Sequence, residues 1–238
     1  MPNSWFQFKQ VTIHQDKCAM KIGTDSILLG AWADTENTSS ILDIGAGTGI
    51  LSITLAQKTT NTNITGIEID EDSVLQAQQN VINSPWSDRI KIIKCSLQEF
   101  KSVSGKFDLI ISNPPFFQNS LNTPDINRTK ARHNITLTQE ELALATINNL
   151  SASGRLIVIW PIIEGEIFIE LIKNMGLFVN KLTYVKPNAD KPSHRLLIEF
   201  SFQNKNIKES EIVIEGNIRH QYTDEYKNLT KDFYLNFR

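Results

Sequence analysis

From residue 40 to about residue 176, short apolar, β-branched runs alternate with helix-like stretches, and this alternation most narrows the possible folds. "SILDIG" (40–45), "ITGIEID" (64–70), "IKIIKC" (90–95), "FDLIIS" (107–112) and "RLIVIW" (155–160) read as strands. Between them, "ILSITLAQK" (50–58) reads as a helix, and "EDSVLQAQQNVI" (71–82) as a second with Val74, Ala77 and Val81 on one face. Thr138 and Glu141 have capping-box spacing and predict a helix to about Leu150. "GEIFIELIKNMG" (165–176) places Ile167, Phe168, Leu171, Ile172 and Met175 on one face and ends at a glycine suited to a C-cap. Strands alternating with helices predict a mainly parallel sheet covered on both faces. "LFVNKLTYV" (177–185) and "HRLLIEFSF" (194–202) have no helix between them. They predict an antiparallel hairpin at one edge, joined by the polar loop 186–193, and bring the expected sheet to seven strands.

The expected organisation is a single α/β domain over residues 1–238. It has an N-terminal extension (1–39) with a helix after Thr24 in "DSILLGAWA", a core over 40–202, and a C-terminal extension (203–238). In the latter, Tyr226, Leu229 and Phe233 recur at helical spacing. A hydrophobic content of 40% supports a real core. A net charge of −2 carries no whole-molecule signature of a nucleic-acid binder, although a basic face fits inside that balance. Cys18 and Cys95 are far apart without CxxC spacing, which argues against a zinc site or a disulfide framework, so two buried thiols and no metal are expected. No apolar run approaches the ~20 residues of a membrane span. "MPNSWFQFKQ" lacks the apolar centre of a signal peptide, so a cytoplasmic protein is expected.

Two short stretches carry chemistry. "DIGAGTG" (43–49) sits between the first core strand and its helix. Glycines at 45, 47 and 49 allow a tight turn and close approach by a ligand, and the N–H groups of the following helix favour a negative group. A dinucleotide fingerprint needs a glycine where Ile50 stands. Glu68 ends the second core strand, where a carboxylate can take both hydroxyls of a ribose. Asp70 suits the N-cap of the next helix. The second stretch is "SNPPFF" (112–117), which leaves a buried strand through an amide, two prolines and two aromatics. Proline cannot continue a central strand, so the sheet ends there.

The acid-led GxGxG turn, Glu68 and the edge hairpin resemble the class I S-adenosylmethionine-dependent methyltransferases over about residues 20–202. The resemblance implies a Rossmann-like three-layer α/β sandwich and S-adenosylmethionine as cofactor. It implies that Asp43 orients the methionine end, that Gly45, Gly47 and Gly49 allow close approach, and that Glu68 binds the ribose. Thr24, Ala46, Ile69, Ser96, Leu97 and Asn113 complete the expected cofactor contacts. Where the family often has an acid near the adenine amino group, this chain has Ser96, so the serine hydroxyl or the Leu97 backbone must serve.

"NPPF" matches the amino-methyltransferase signature of that superfamily. An exocyclic amine is a poor nucleophile because its lone pair is delocalised into the ring. The Asn113 carbonyl can accept one of its N–H groups and the Pro114 carbonyl the other, fixing the nitrogen and supporting developing charge. Pro114 and Pro115 restrict the backbone, and Phe116 can stack on a flipped base. Phe117 reads either as a second pocket wall or as core. "MKIGTDSILLGAWA" (20–33), "NPPFF", "ARHN" (131–134) and "YTDEYKNLTKDFYL" (222–235) are further similar to the bacterial tRNA1(Val) adenine-N6-methyltransferase family. That similarity implies methylation of N6 of the adenosine at position 37, beside the anticodon of a valine tRNA. Arg128, Lys130, Arg132 and His133 follow the expected catalytic loop, and Lys186, Lys191, His194 and Arg195 lie on or beside the hairpin loop. Both groups can contact RNA phosphates. A monomer with tRNA as partner is expected. The rival readings are a guanine-N2 methyltransferase on rRNA, a protein-glutamine methyltransferase, and a non-catalytic cofactor- or RNA-binding module. The glutamine enzymes usually carry NPPY and a separate N-terminal helical domain, for which the segment before residue 40 leaves little room.

Overall fold

Side chains along a strand point alternately to the two faces of its sheet, so strands buried on both faces read as nearly continuous apolar runs. The computed structural model, which describes residues 3–102, 105–115, 137–216 and 218–237, forms such a sheet. Two short strands, β1 (Trp5–Gln7) and β2 (Thr12–His14), form a separate antiparallel hairpin and are followed by α1 (Thr24–Trp32). The chain then runs through β3 (Ser40–Ile44), α2 (Ile50–Lys58), β4 (Asn63–Glu68), α3 (Glu71–Ile82), β5 (Ile90–Lys94) and β6 (Phe107–Ser112). It continues through α4 (Gln139–Asn149), β7 (Leu150–Pro161), α5 (Ile162–Lys173), β8 (Phe178–Asn188), β9 (Arg195–Ser201), β10 (Lys208–Glu215) and α6 (Asp224–Thr230).

The order across the large sheet is β10-β8-β9-β7-β6-β3-β4-β5. Neighbours from β7 to β5 are parallel, and β9 runs antiparallel to both β7 and β8. The expected hairpin is therefore present, but it is not the edge. β10 pairs parallel with β8 and makes an eighth strand where seven were expected. Its first four residues, "KESE", are all exposed, and only Ile212 and Ile214 are buried. A charged, half-solvated strand lacks the apolar pattern of the core strands and suits a sheet edge, where charge discourages pairing with other chains.

Leu109 and Ile111 of β6, with Ile157 and Ile159 of β7, pack with α1, α2 and α3 on one face. Ile110, Leu156, Val158 and Trp160 pack on the other face with Phe168 and Ile172 of α5. Truncating one such fully buried side chain to alanine costs about 2–5 kcal/mol. The predicted capping box opens α4: Thr138 Oγ1 accepts the Glu141 N–H at 3.1 Å, and Glu141 Oε2 accepts the Thr138 N–H at 2.9 Å. α5 begins three residues earlier than expected, directly after Pro161, and Ile167 of its predicted face is exposed. The rest of that face packs as expected, with Phe168 and Ile172 buried and Leu171 and Met175 against the same core. Lys58 Nζ donates to the carbonyls of Gly30 (3.1 Å) and Ala31 (2.7 Å), satisfying the C-terminus of α1, and burial pulls its amine down to about 8. The tail closes on the N-terminal hairpin. Lys9 donates its N–H to Phe233 O at 2.9 Å and its Nζ to Phe237 O at 2.6 Å, and Phe8 shares one core with Tyr226, Phe233 and Phe237.

From β3 the chain moves outward to β4 and β5, and it returns on the other side of β3 as β6. The strand order reverses between β3 and β6, and the crevice beyond their C-terminal ends is where open α/β sheets bind ligands.

Candidate active site

The turn after β3 is held open for a ligand. Gly45, Gly47 and Gly49 have φ of 75°, 54° and 80°, conformations that side chains disfavour. The N–H groups of Gly45 and Ala46 both reach Ile67 O at 3.0 Å, which fastens the turn to β4. A Cβ at Gly45 would meet nothing within 4 Å, so the space over the turn is open. Gly49 leads into α2 as its N-cap. The Asn80 side chain of α3 donates to Thr48 O at 2.9 Å and to His14 O at 2.8 Å, clamping turn and β2 to one helix.

Two acids brace this turn. Asp43 is fully buried: its Oδ2 accepts the Ser52 N–H (3.1 Å) and Oγ–H (2.7 Å), while Oδ1 has no partner among the described residues. Burial pushes its carboxyl up to about 6; the Ser52 bonds oppose that shift and the nearby Glu68 charge adds to it. Glu68 Oε2 accepts the Gly47 N–H at 3.0 Å, and Oε1 accepts those of Ile69 (2.8 Å) and Asp70 (3.0 Å). Three backbone donors thus fix a carboxylate able to accept about four bonds. Ile69 is 43% exposed beside it, an unusual position for isoleucine that gives the site an apolar wall. Asp70 caps α3 by accepting the Ser73 N–H at 2.9 Å, as predicted.

At the end of β5, Ser96 does not act alone. Its hydroxyl donates to Glu99 Oε2 at 2.8 Å, so the acid missing from the expected position stands one turn later. Leu97 is half-buried and packs with Phe100 on the α4 side of the sheet, beside a cavity of about 570 Å³.

β6 delivers the catalytic candidate. Ser112 pairs in register with Ile44, and its hydroxyl donates to Ile44 O at 2.8 Å, so Asn113 emerges beside the end of β3. Pro114 is buried and Pro115 half-buried. Asn113 Nδ2 donates to Ser26 Oγ in the first turn of α1 at 2.9 Å, and Oδ1 is buried without a partner among the described residues. Thr24, the first residue of α1, is exposed. Phe116, Phe117, Arg128, Lys130, Arg132 and His133 lie outside the described residues.

The hairpin-loop cations are partly committed elsewhere. Lys186 pairs with Glu211 of β10 at 3.0 Å, and Arg195 Nε donates to Asp25 Oδ2 of α1 at 2.8 Å. An RNA contact by Arg195 therefore competes with an ion pair. Burial, with the adjacent Arg195 charge, pulls His194 below the ordinary histidine range, so its ring is uncharged near neutral pH. Lys191 is exposed in the turn before β9. Among the described residues, no helix is long and apolar enough to cross a membrane.

Ser26, Ser52, Asn80 and Glu99 belong to this arrangement although sequence reasoning did not single them out. Asn80 left a trace, a polar side chain in line with Ala77 and Val81 on the buried stripe of α3. Glu99 and Ser52 stand near Ser96 and the glycine turn without a motif to mark them, and Ser26 left no sign.

The donor set fits S-adenosylmethionine. Asp43 Oδ1 and Asn113 Oδ1 are buried without partners among the described residues, a positive-φ turn leaves open space, and an exposed isoleucine adjoins a fixed carboxylate. Relatives in Bacteroides fragilis and Trichodesmium erythraeum, each named tRNA1(Val) (adenine(37)-N6)-methyltransferase, are both 42% identical over 240 residues. The first alignment covers 99% of each chain and the second 100% of each. A solved structure of a predicted O-methyltransferase from Agrobacterium tumefaciens superposes with a TM-score of 0.64 at 16% identity, covering 88% of this chain and 96% of that one. The model of the methyltransferase small domain matches residues 18–160, from the segment before α1 to the end of β7. That span takes in the glycine turn, both acids and Asn113, and the chain belongs to the methyltransferase small domain family.

Proposed function

We propose that this protein transfers a methyl group from S-adenosylmethionine to the exocyclic N6 amine of the adenosine at position 37 of a valine tRNA. The observation that carries the reading is Asn113 Oδ1, a buried acceptor with no donor among the described residues, at the end of β6 beside the glycine turn. The likeness over the full chain to enzymes named for this reaction supports the substrate.

When bound, S-adenosylmethionine supplies a methyl already activated by its sulfonium. Asp43 Oδ1 holds a positive group at the methionine end, and Gly45, Ala46, Gly47 and Gly49 let the ligand lie against the backbone. Glu68 takes the ribose hydroxyls, and Ile69 lies against the adenine. Ser96 with Glu99 offers an acceptor for the adenine amino group, and the Leu97 backbone lies beside them. Thr24 closes the site from α1. Asn113 Oδ1 accepts one N–H of the target amine and the Pro114 carbonyl accepts the other, which steadies the nitrogen as it becomes positive. Pro115 stiffens this acceptor pair, Phe116 gives the target base a stacking face, and Phe117 walls it. With the methyl supplied by bound S-adenosylmethionine, the methylated nitrogen would lose its extra proton to water. Arg128, Lys130, Arg132, His133 and Lys191 contact RNA, and Arg195 joins them where its pair with Asp25 yields. The enzyme works as a cytoplasmic monomer.

The test is incubation of the protein with labelled S-adenosylmethionine and total tRNA, followed by nucleoside mass spectrometry. N6-methyladenosine at position 37 of valine tRNA is expected. Methyl on guanine alone, or none on any RNA, would overturn the assignment.

A further inference from the structure

Among the described residues, the amide of Asn113 is anchored at one end only. Nδ2 donates to Ser26 Oγ across 87 residues of chain, while buried Oδ1 faces no donor among the described residues. An asparagine amide is asymmetric: one end accepts, the other donates. With the oxygen inward, it accepts from an incoming N–H. Rotated by half a turn about its last bond, it would present N–H to N–H and oppose the same approach. That last torsion is soft and roughly two-fold, so the side chain's own preference does not select between the two faces. A neighbour's bond fixes the torsion, and here the Ser26 hydroxyl, which can accept or donate, accepts from the nitrogen end.

The anchor is itself held. The residue before Ser26, Asp25, accepts from Arg195 Nε at 2.8 Å at the start of β9. The first turn of α1 is thus tied to β9 through Asp25 and to the loop after β6 through Ser26.

We propose that Ser26 is a positioning residue for methyl transfer. Its hydroxyl accepts from Asn113 Nδ2 and keeps Oδ1 turned toward the target amine. This rests on the reading of Asn113 as the amine's acceptor. Ser26 acts through Asn113, so its loss lowers the rate of the bound complex rather than the affinity for either substrate.

The experiment compares wild type, Ser26→Ala, Ser26→Thr, Asn113→Ala and the Ser26→Ala/Asn113→Ala pair. It uses the full chain with valine tRNA and saturating S-adenosylmethionine, under single turnover so that slow variants stay measurable. Ser26→Ala should lower kcat by roughly 3- to 10-fold, the effect of one orienting hydrogen bond, with KM for tRNA and Kd for S-adenosylmethionine nearly unchanged. Ser26→Thr should restore the wild-type rate. In the Asn113→Ala background the serine change should cost nothing further, because its target is gone. An unchanged kcat in Ser26→Ala overturns the inference. An equal fractional loss in both backgrounds also overturns it, since a merely structural serine, or a misfolded variant, costs the same with or without Asn113. No transfer to adenosine by the wild-type chain overturns the functional reading and this inference with it, whereas a failure confined to Ser26 leaves that reading standing.

Discussion

Asp108 and Asn113 stand near opposite ends of β6. Asp108 Oδ2 accepts the N–H and Oγ–H of both Ser39 and Ser40, at 3.0 and 2.6 Å and at 3.2 and 3.2 Å. Asn113, just beyond the other end, keeps a buried oxygen with no donor among the described residues. Asp43 repeats the pattern at the same end of β3, with one oxygen served by Ser52 and one left over. A buried acceptor without a partner costs about 1–3 kcal/mol. The bonds are complete on Asp108 near the start of β6 and incomplete on Asn113 and Asp43 near the ends of β6 and β3, whereas Glu68 at the end of β4 is held by three backbone donors. The first pattern is what stability alone selects; the open acceptors of Asp43 and Asn113 suit a bound ligand.

That contrast can be broken experimentally, beginning where the effect is largest. Asn113→Ala should cut methyl transfer by on the order of 100-fold or more, while calorimetry still detects S-adenosylmethionine binding. Wild-type turnover by that variant would remove the reason given for the missing bond. Glu68→Ala should weaken S-adenosylmethionine by roughly 10- to 100-fold in the same titration, because a charged acceptor and the brace on Gly47 are lost together. Asp108→Ala should do the reverse, lowering unfolding free energy in urea by about 1–2 kcal/mol and leaving kcat within twofold.

The two aspartates should also give opposite pH slopes. Burial raises the folded Asp43 carboxyl to about 6, above the ~3.9 of an unfolded aspartate. Its share of stability is full below about pH 4 and is lost as pH rises through about 6. For Asp108, burial pulls upward but the bonds from Ser39 and Ser40 win, and its carboxyl is lowered. Its share is present above about pH 3.9 and is lost as pH falls through its folded value. Urea unfolding of Asp43→Asn across pH 4–7 should show a flatter profile than wild type, and an identical profile would refute the assignment. The smallest change belongs to Lys191→Ala. It should weaken tRNA binding a few-fold and reduce the salt dependence by about one counterion, with no change in unfolding.

How much was legible in the sequence follows from how local each feature is. The glycine turn, Glu68 and "NPPF" are contiguous motifs at strand ends, and the alternation of apolar runs placed those ends correctly. The capping box of α4 spans four residues and was read from them alone. The pair between Ser26 and Asn113 joins positions 87 apart, and nothing in either segment announces the other. β10 escaped because its charged half is solvated at an edge, so neither alternation nor a continuous apolar run marks it. Arg195 read as a cation free for RNA because its partner, Asp25, lies 170 residues earlier.

The closure of the tail on the first hairpin has a consequence for synthesis. The bond between Lys9 and Phe237 spans 228 residues, nearly the whole chain. At about 5–20 residues per second, the ribosome leaves Phe6 and Phe8 without Tyr234 and Phe237 for roughly 10–45 seconds. Phe6 and Phe8 are thus among the last side chains to gain all their partners, although β2 is already held to α3 by Asn80. During that interval the ring faces that meet the tail are uncovered, and a chaperone or a neighbouring nascent chain can reach them before Tyr234 and Phe237 do.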